Sequence, residues 1–390
     1  MKKVVIFYPY ATGEKAFSGG VPKVIVSNII AVNKNGDKPY VILPVGNSGL
    51  INYIRENCPY CEIVPIEFQT LALYSDVKNV FTRAKLVTKH LIGVFRGRKL
   101  LKEALEKIQP DVIHYHEINC YNILGLYRKA KVVFHVHSYR FTSYKVVAPR
   151  IYKACNKYAD VIISPTESIK AAMQPHLTKE VTIVNTPYLD LSGGKKTFDN
   201  PVSNKLAEIK KEKILFSFVG RICTIKRIDH FVKAIALLPK ELTKKMQFVI
   251  VGGCNTKGDK DYKNMVIDTA RKNGVEDVLN FVGYVNPVEA ALSVIDYGVM
   301  LTESEAMPMV GIEYMKFNIP IIAYAAPGIA DFMVNDENGF LIENGNINEI
   351  AKVLERILNK VDIPDFDTTI PPHFNGYSIE AFAEILKKIY

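Results

Sequence analysis

The sequence predicts an α/β protein made of two parallel-sheet domains, and three observations carry that prediction. Its 390 residues, 48% hydrophobic and 23% charged, are enough for two separate cores. Short apolar runs alternate with helical periodicity along the chain, which is the signal of βαβ units. Near the middle, TPYLDLSGGKKTFDNPVSNK is rich in Gly, Pro, Ser and Lys and reads as a linker. The domains are therefore expected at 1–190 and 213–375, joined by 191–212, with an amphipathic helix in 376–390.

Val4 to Tyr8 is the first expected strand. Ser18-Gly19-Gly20-Val21 then opens a helical pattern through Val24, Ile25, Asn28 and Ile29, and the glycine pair would let backbone N–H groups approach a ligand. Further strands are expected at Tyr40 to Pro44, Ile63 to Ile66, Asp111 to Tyr115, Lys131 to Val136, Val161 to Ser164 and Val181 to Val184. Two of them end in histidine pairs, His114 with His116 and His135 with His137. Alternation puts His135 and His137 on one face, so His137, at the carboxyl end, is the one free to enter a cleft. In the second half, strands are expected at Ile214 to Val219, Gln247 to Val251, Leu279 to Tyr284, Tyr297 to Leu301, Ile319 to Tyr324 and Phe340 to Ile342.

Composition excludes several classes. No run approaches the roughly eighteen apolar residues of a membrane span, and Pro9 ends the opening apolar run short of a signal h-region. A cytoplasmic protein is expected, and its six cysteines are expected as reduced thiols. Cys58-Pro-Tyr-Cys61 has the spelling of a redox motif, but it follows a helical stretch and precedes a strand, the reverse of the context that chemistry needs. No second CxxC completes a zinc site. Residues 1–190 carry 26 Lys+Arg against 14 Asp+Glu, so the basic excess of the whole chain, +10, lies in the first half. Lys78 to Lys102 holds eight basic and no acidic side chains, interleaved with apolar ones at partly helical spacing. Such a surface suits an anionic partner, either a membrane face or an acidic acceptor, unless its apolar side simply packs on the domain. Nucleic acid is not expected, since no helix-turn-helix, zinc finger or stacking motif accompanies it.

The chemistry concentrates in DYGVMLTESEAMPMVGIEYMKFNIPIIAY, residues 296–324, which reads as strand, acidic loop, helix, strand. A helix linking two short buried strands is a parallel crossover, so the loop lies at the carboxyl edge where open α/β sheets bind ligands. Pro308 suits the first helical position, which leaves the N–H groups of Met309, Val310 and Gly311 for an anion. Glu305 and Glu313, eight residues apart, suit a loop and a helix position reaching one ligand. A nucleoside diphosphate sugar has the matching layout: Glu305 on sugar hydroxyls, the helix start on phosphate, Glu313 on the ribose. Arg221 and Lys226, in FVGRICTIK, leave an earlier strand end and bring two cations to the same edge.

EAMPMVGIE resembles the Glu-x7-Glu signature of the retaining glycosyltransferases of family 4, and VGR-x4-K resembles their diphosphate clamp. Ala306 and Met307 stand where that family usually has Gly and an aromatic residue. The resemblance implies the GT-B fold, two Rossmann-like domains facing across a cleft, with the C-terminal helix crossing back to the first domain. It implies that Gly19 and Gly20 face the donor phosphates, that His137 in VVFHVHS contacts the transferred sugar, and that backbone around Tyr284 holds the base. It further implies hexosyl transfer from a nucleotide sugar, with retention, to a glycan or lipid-linked acceptor in bacterial surface polysaccharide or glycoconjugate synthesis at the inner membrane face. No metal or cofactor is expected, because Arg221, Lys226 and the helix start would neutralise the leaving diphosphate. Two rivals stand beside this reading: a non-catalytic subunit supporting a partner transferase, and a sugar-nucleotide epimerase.

Overall fold

The computed structural model describes every residue except 12, 15–19, 69–79, 139–146, 190–198, 200 and 370–377, with backbone alone over 80–92. The chain divides into two compact units, Met1–Leu189 with Asn375–Tyr390, and Asp190–Phe374.

The first unit runs β1 (Lys3–Phe7), α1 (Val21–Lys34), β2 (Lys38–Pro44), α2 (Ser48–Asn57), β3 (Glu62–Ile66), α3 (Val80–Ile108), β4 (Val112–His116), β5 (Lys131–His135), α4 (Ala148–Tyr158), β6 (Val161–Ser164), α5 (Glu167–Met173) and β7 (Val181–Ile183). All seven strands are parallel, in the order β3-β2-β1-β4-β5-β6-β7. Apart from the edge strands β3 and β7, they are largely buried on both faces, as in a sheet covered on both sides by helices. The helix Ile379–Ile389, thirteenth in chain order, also belongs to this unit. Its Phe382, Ala383 and Leu386 are buried, and Asn35 at the end of α1 donates to the Ala383 carbonyl.

The second unit runs α6 (Pro201–Lys210), β8 (Ile214–Val219), α7 (Ile228–Ala236), α8 (Lys240–Thr243), β9 (Met246–Val251), α9 (Lys257–Lys272), β10 (Leu279–Gly283), α10 (Glu289–Leu292), β11 (Tyr297–Met300), α11 (Met309–Lys316), β12 (Ile321–Tyr324), β13 (Gly339–Ile342) and α12 (Ile347–Asn359). Its six parallel strands take the order β10-β9-β8-β11-β12-β13. Both sheets therefore reverse direction once, between β1 and β4 and between β8 and β11, the doubly wound pattern that places ligands at the reversal.

Two expectations need correction. Residues 201–210, assigned to the linker, form α6 of the second unit, tied by Lys210 to Asp296 at 2.6 Å while the other oxygen of Asp296 accepts from the Leu215 N–H. Pro308 is the residue before α11 rather than its first. Of the basic run, residues 80–102 lie on the 29-residue helix α3, where Arg96 pairs with Glu67, Lys99 with Glu103 and Lys102 with Glu106, and Lys78 lies outside the described residues. Among the described residues, no helix is long and apolar enough to cross a membrane.

Candidate functional site

In the second unit the reversal point brings together the loops that follow β8 and β11. After β8 the backbone turns at Gly220, donates from Ile222 to Gly253, and winds through a short 3-10 turn, Thr224–Lys226. Arg227, in the left-handed region at φ 48°, then starts α7. The β11–α11 loop lies against this turn, with the Glu303 N–H on the Ile225 carbonyl. Its other side is fixed by the loop after β12. There Glu305 donates to Pro327, and Gly328, at φ 81°, packs so closely that a Cβ on it would fall 2.0 Å from the Glu305 carbonyl. Only glycine satisfies both the angle and the contact.

This packing joins two of the expected site residues: Lys226 Nζ donates to Glu305 Oε1, both side chains about four-fifths buried. Arg221 stands exposed just after β8, at the same edge. Glu313 lies on the second turn of α11 and is buried. Tyr284 follows β10 at the far side of the sheet and is 45% exposed.

The start of α11 differs from expectation. Met309 N–H donates to the Met307 carbonyl and Gly311 N–H to the Pro308 carbonyl, so these two donors are already used within the turn. Gly311 is small for packing and not for a ligand: a Cβ there would meet the Phe332 ring at 2.5 Å. Val310 remains the N–H of this first turn with no recorded partner among the described residues.

Sequence reasoning passed over a second clamp. Arg227 donates through Nε and Nη2 to Glu303, at 3.1 and 2.9 Å, and through Nη1 to Asn344 at 2.6 Å, tying the loops after β8, β11 and β13. Its partners are 76 and 117 residues away, beyond any local pattern. The only signal was an arginine beside Lys226 and a glutamate two before Glu305.

In the first unit Gly19 falls outside the described residues. Gly20 precedes α1 in ordinary right-handed helical geometry, φ −73°, so no glycine-only conformation is used there. His137, expected to be free, has its Nε2 2.9 Å from His116 Nδ1, and burial pushes its pKa down to about 3. Glu117 was missed. It follows β4 at the reversal point, at φ 82°, and burial raises its carboxyl to about 7, with the Ile118 N–H opposing. The letters HYHE at a strand end were the available signal. Cys58 and Cys61 are buried thiols pushed up by desolvation, which leaves no reactive thiolate in the CxxC. Asp259, in an Asp-x-Asp pair, closes the capping box of α9 with Thr256.

Residues 18–187 match the family model "Glycosyltransferase Family 4", and residues 201–364 match "Glycosyl transferases group 1". Between them the two models take in both units. This chain belongs with the GT-B glycosyltransferases. An uncharacterized glycosyltransferase of Haemophilus influenzae is 25% identical over 296 residues, 73% of this chain and 77% of its own length. The capsular polysaccharide biosynthesis glycosyltransferase CapM of Staphylococcus aureus is 23% identical over 41% of each chain. Among solved structures, HepE of Anabaena in complex with UDP superposes with a TM-score of 0.74 at 14% identity, covering 100% of this glycosyltransferase and 99% of that chain.

Proposed function

We propose that this glycosyltransferase moves a hexosyl group from a nucleoside diphosphate sugar to a glycan or lipid-linked acceptor, in assembly of a bacterial surface polysaccharide or glycoconjugate. The reading includes retention at the anomeric carbon and no metal in the transfer step. The observation that carries it is the Lys226–Glu305 pair at the reversal point of the second sheet, with Arg221 at the same edge. A cation pair beside an acceptor carboxylate fits a ligand that presents phosphate next to sugar hydroxyls. The relative HepE, solved with UDP, and CapM, from capsule synthesis, support the donor class and the setting.

In the proposed step the bond from C1 to the β-phosphate oxygen breaks as the acceptor oxygen bonds to C1 on the same face. The leaving phosphate oxygen takes the acceptor proton. Arg221, Lys226 and the Val310 N–H stabilise the diphosphate charge as it develops, which preorganised donors do without reorganisation cost. Glu305 and Glu313 accept from donor hydroxyls. The corrected start of α11 narrows the amide contribution to Val310. Gly20, Tyr284 and His137 keep their proposed donor contacts, and His137 contacts the sugar as a neutral imidazole.

The test is a thermal-shift screen of the purified chain against a panel of nucleotide sugars, followed by NMR of the product formed from the stabilising donor. A shift with one donor and an anomeric configuration equal to that of the donor are expected. An inverted product refutes retention. Donor binding with neither hydrolysis nor transfer would favour the supporting-subunit alternative.

A further inference from the structure

His114 and His116 sit two residues apart on β4, and His135 on β5 is the register partner of His116. The pleat therefore puts all three imidazoles on one face, and none is exposed to solvent. Their rings lie 4.2 to 5.3 Å apart. Four buried ring nitrogens, Nε2 of His114, Nε2 of His116 and both of His135, have no hydrogen-bond partner among the described residues. Each unmatched buried polar atom costs about 1–3 kcal/mol, so three histidines are a poor way to fill this space unless something binds them. Phenylalanine or leucine would pack the same face without that penalty.

The surrounding bonds fix which nitrogen carries the lone pair. Asn28 Nδ2 donates to the Val24 carbonyl at 2.9 Å, so its Oδ1 is the acceptor for the Tyr390 hydroxyl at 3.2 Å. The Tyr390 oxygen is thereby left to accept from His114 Nδ1–H, at 2.6 Å. His114 Nε2 then carries the lone pair, buried and unpartnered. His116 Nδ1 lies 2.9 Å from His137 Nε2, and when it donates there its unmatched Nε2 carries the lone pair. An outer hydrogen bond on one ring nitrogen that presents the other as a donor atom is the usual second layer of a histidine–metal site.

We propose that His114, His116 and His135 bind one divalent transition-metal ion through His114 Nε2, His116 Nε2 and a ring nitrogen of His135. One ring nitrogen from each of the three histidines lies within 4.8 Å of those of the other two. With metal–nitrogen bonds of about 2.0–2.1 Å, the nitrogens of a tetrahedral site lie about 3.3–3.4 Å apart, so these nearly parallel rings would turn toward one another on binding. Three imidazoles select Zn²⁺, Cu²⁺ or Ni²⁺ over the oxygen-seeking Mg²⁺ and Ca²⁺. The ion has no part in the transfer step. It crosslinks β4 to β5 and, through His114 and Tyr390, fixes the end of the chain on the first unit.

The experiment uses the full chain without a histidine tag, expressed in zinc-supplemented medium, with metal measured by mass spectrometry. The metal-stripped chain is then titrated with Co²⁺. About one zinc per chain and a visible d–d band of protein-bound Co²⁺ are expected. His135→Phe should abolish both. Because that variant can fail to fold, Tyr390→Phe is the second arm: it keeps every ligand, loses the outer bond, and should weaken the metal about 10–100-fold. Substoichiometric zinc with no Co²⁺ band in the wild type overturns the proposal. So does metal binding that both variants leave unchanged, since the ion then sits elsewhere.

Discussion

Lys226 Nζ is bonded to Glu305, so part of its charge is already committed when a phosphate approaches, even though its other two N–H donors are open to one. The strength of that pair follows from its burial, with 23% of the lysine side chain and 19% of the glutamate exposed. Exposed pairs contribute about 0–1 kcal/mol, while truncating a fully buried one costs about 3–5 kcal/mol. A pair that keeps a fifth of its solvent access belongs near the lower figure, about 1 kcal/mol. Glu305→Gln removes this competition, so a nucleoside diphosphate lacking the sugar should bind about fivefold tighter. Sugar transfer should fall in the same variant, by about tenfold or more, because the charged acceptor for the donor hydroxyls is gone. Lys226→Ala should move both quantities down. It removes a preorganised cation from the leaving group, and one such donor is worth about 10²–10³ in rate. Calorimetry with the diphosphate alone and steady-state transfer kinetics on the three proteins give the comparison. The opposite signs of the two affinity changes are the diagnostic feature. Equal weakening by both substitutions would refute a competition between carboxylate and phosphate, and a Lys226→Ala enzyme within about tenfold of wild-type kcat/KM would refute the clamp itself.

Gly328→Ala should lower stability by more than about 2 kcal/mol, since a left-handed alanine costs about 1–2 kcal/mol and its Cβ also strikes the Glu305 carbonyl, 2.0 Å away; denaturant unfolding measures it, and an unchanged midpoint would be inconsistent with the contact. Glu117→Gln separates two routes to retention: front-side attack keeps activity within about tenfold, whereas loss of about 10³ or more would make Glu117 the nucleophile of a double displacement. Burial raises the Asp229 pKa, but hydrogen bonds from Lys233 and Tyr262 outweigh it and hold the carboxyl below its usual value. The unfolded chain therefore takes up that proton first, so this contribution is present above about pH 4 and is lost as pH falls through the lower folded value. Asp229→Asn should be less stable than wild type at neutral pH, with the gap closing below pH 4 in melting curves; a gap that stays constant sinks the assignment. The basic helix α3 should hold the enzyme on vesicles with anionic headgroups more than on neutral ones, and less as salt rises; equal weak sedimentation with both would remove the membrane reading.

What the sequence disclosed and what it hid divide along a physical line. Strand positions were legible because a buried parallel strand has to be apolar along its whole length: Ile214–Val219 and Val161–Ser164 announce themselves in six and four letters. The cationic and acidic loops were legible too, because loops after strands in an alternating pattern return to one edge, and Lys226 does meet Glu305 there. Roles that depend on a hydrogen bond's partner were not legible. Gly311 reads the same whether it admits a ligand or makes room for the Phe332 ring, and only the fold brings Phe332 against it. The Arg227 clamp spans 76 and 117 residues, and the Tyr390–His114 bond spans 276. The histidines show the limit most sharply. Alternation correctly paired His135 with His137, whose rings lie 4.0 Å apart, and His137 is the one of the four histidines that is not fully buried, yet alternation could not show that its Nε2 is engaged by His116. The unmatched nitrogens belong to the rings behind it. Periodicity gives the face a side chain takes, whereas the chemistry available to that side chain depends on which of its atoms the rest of the fold has already satisfied.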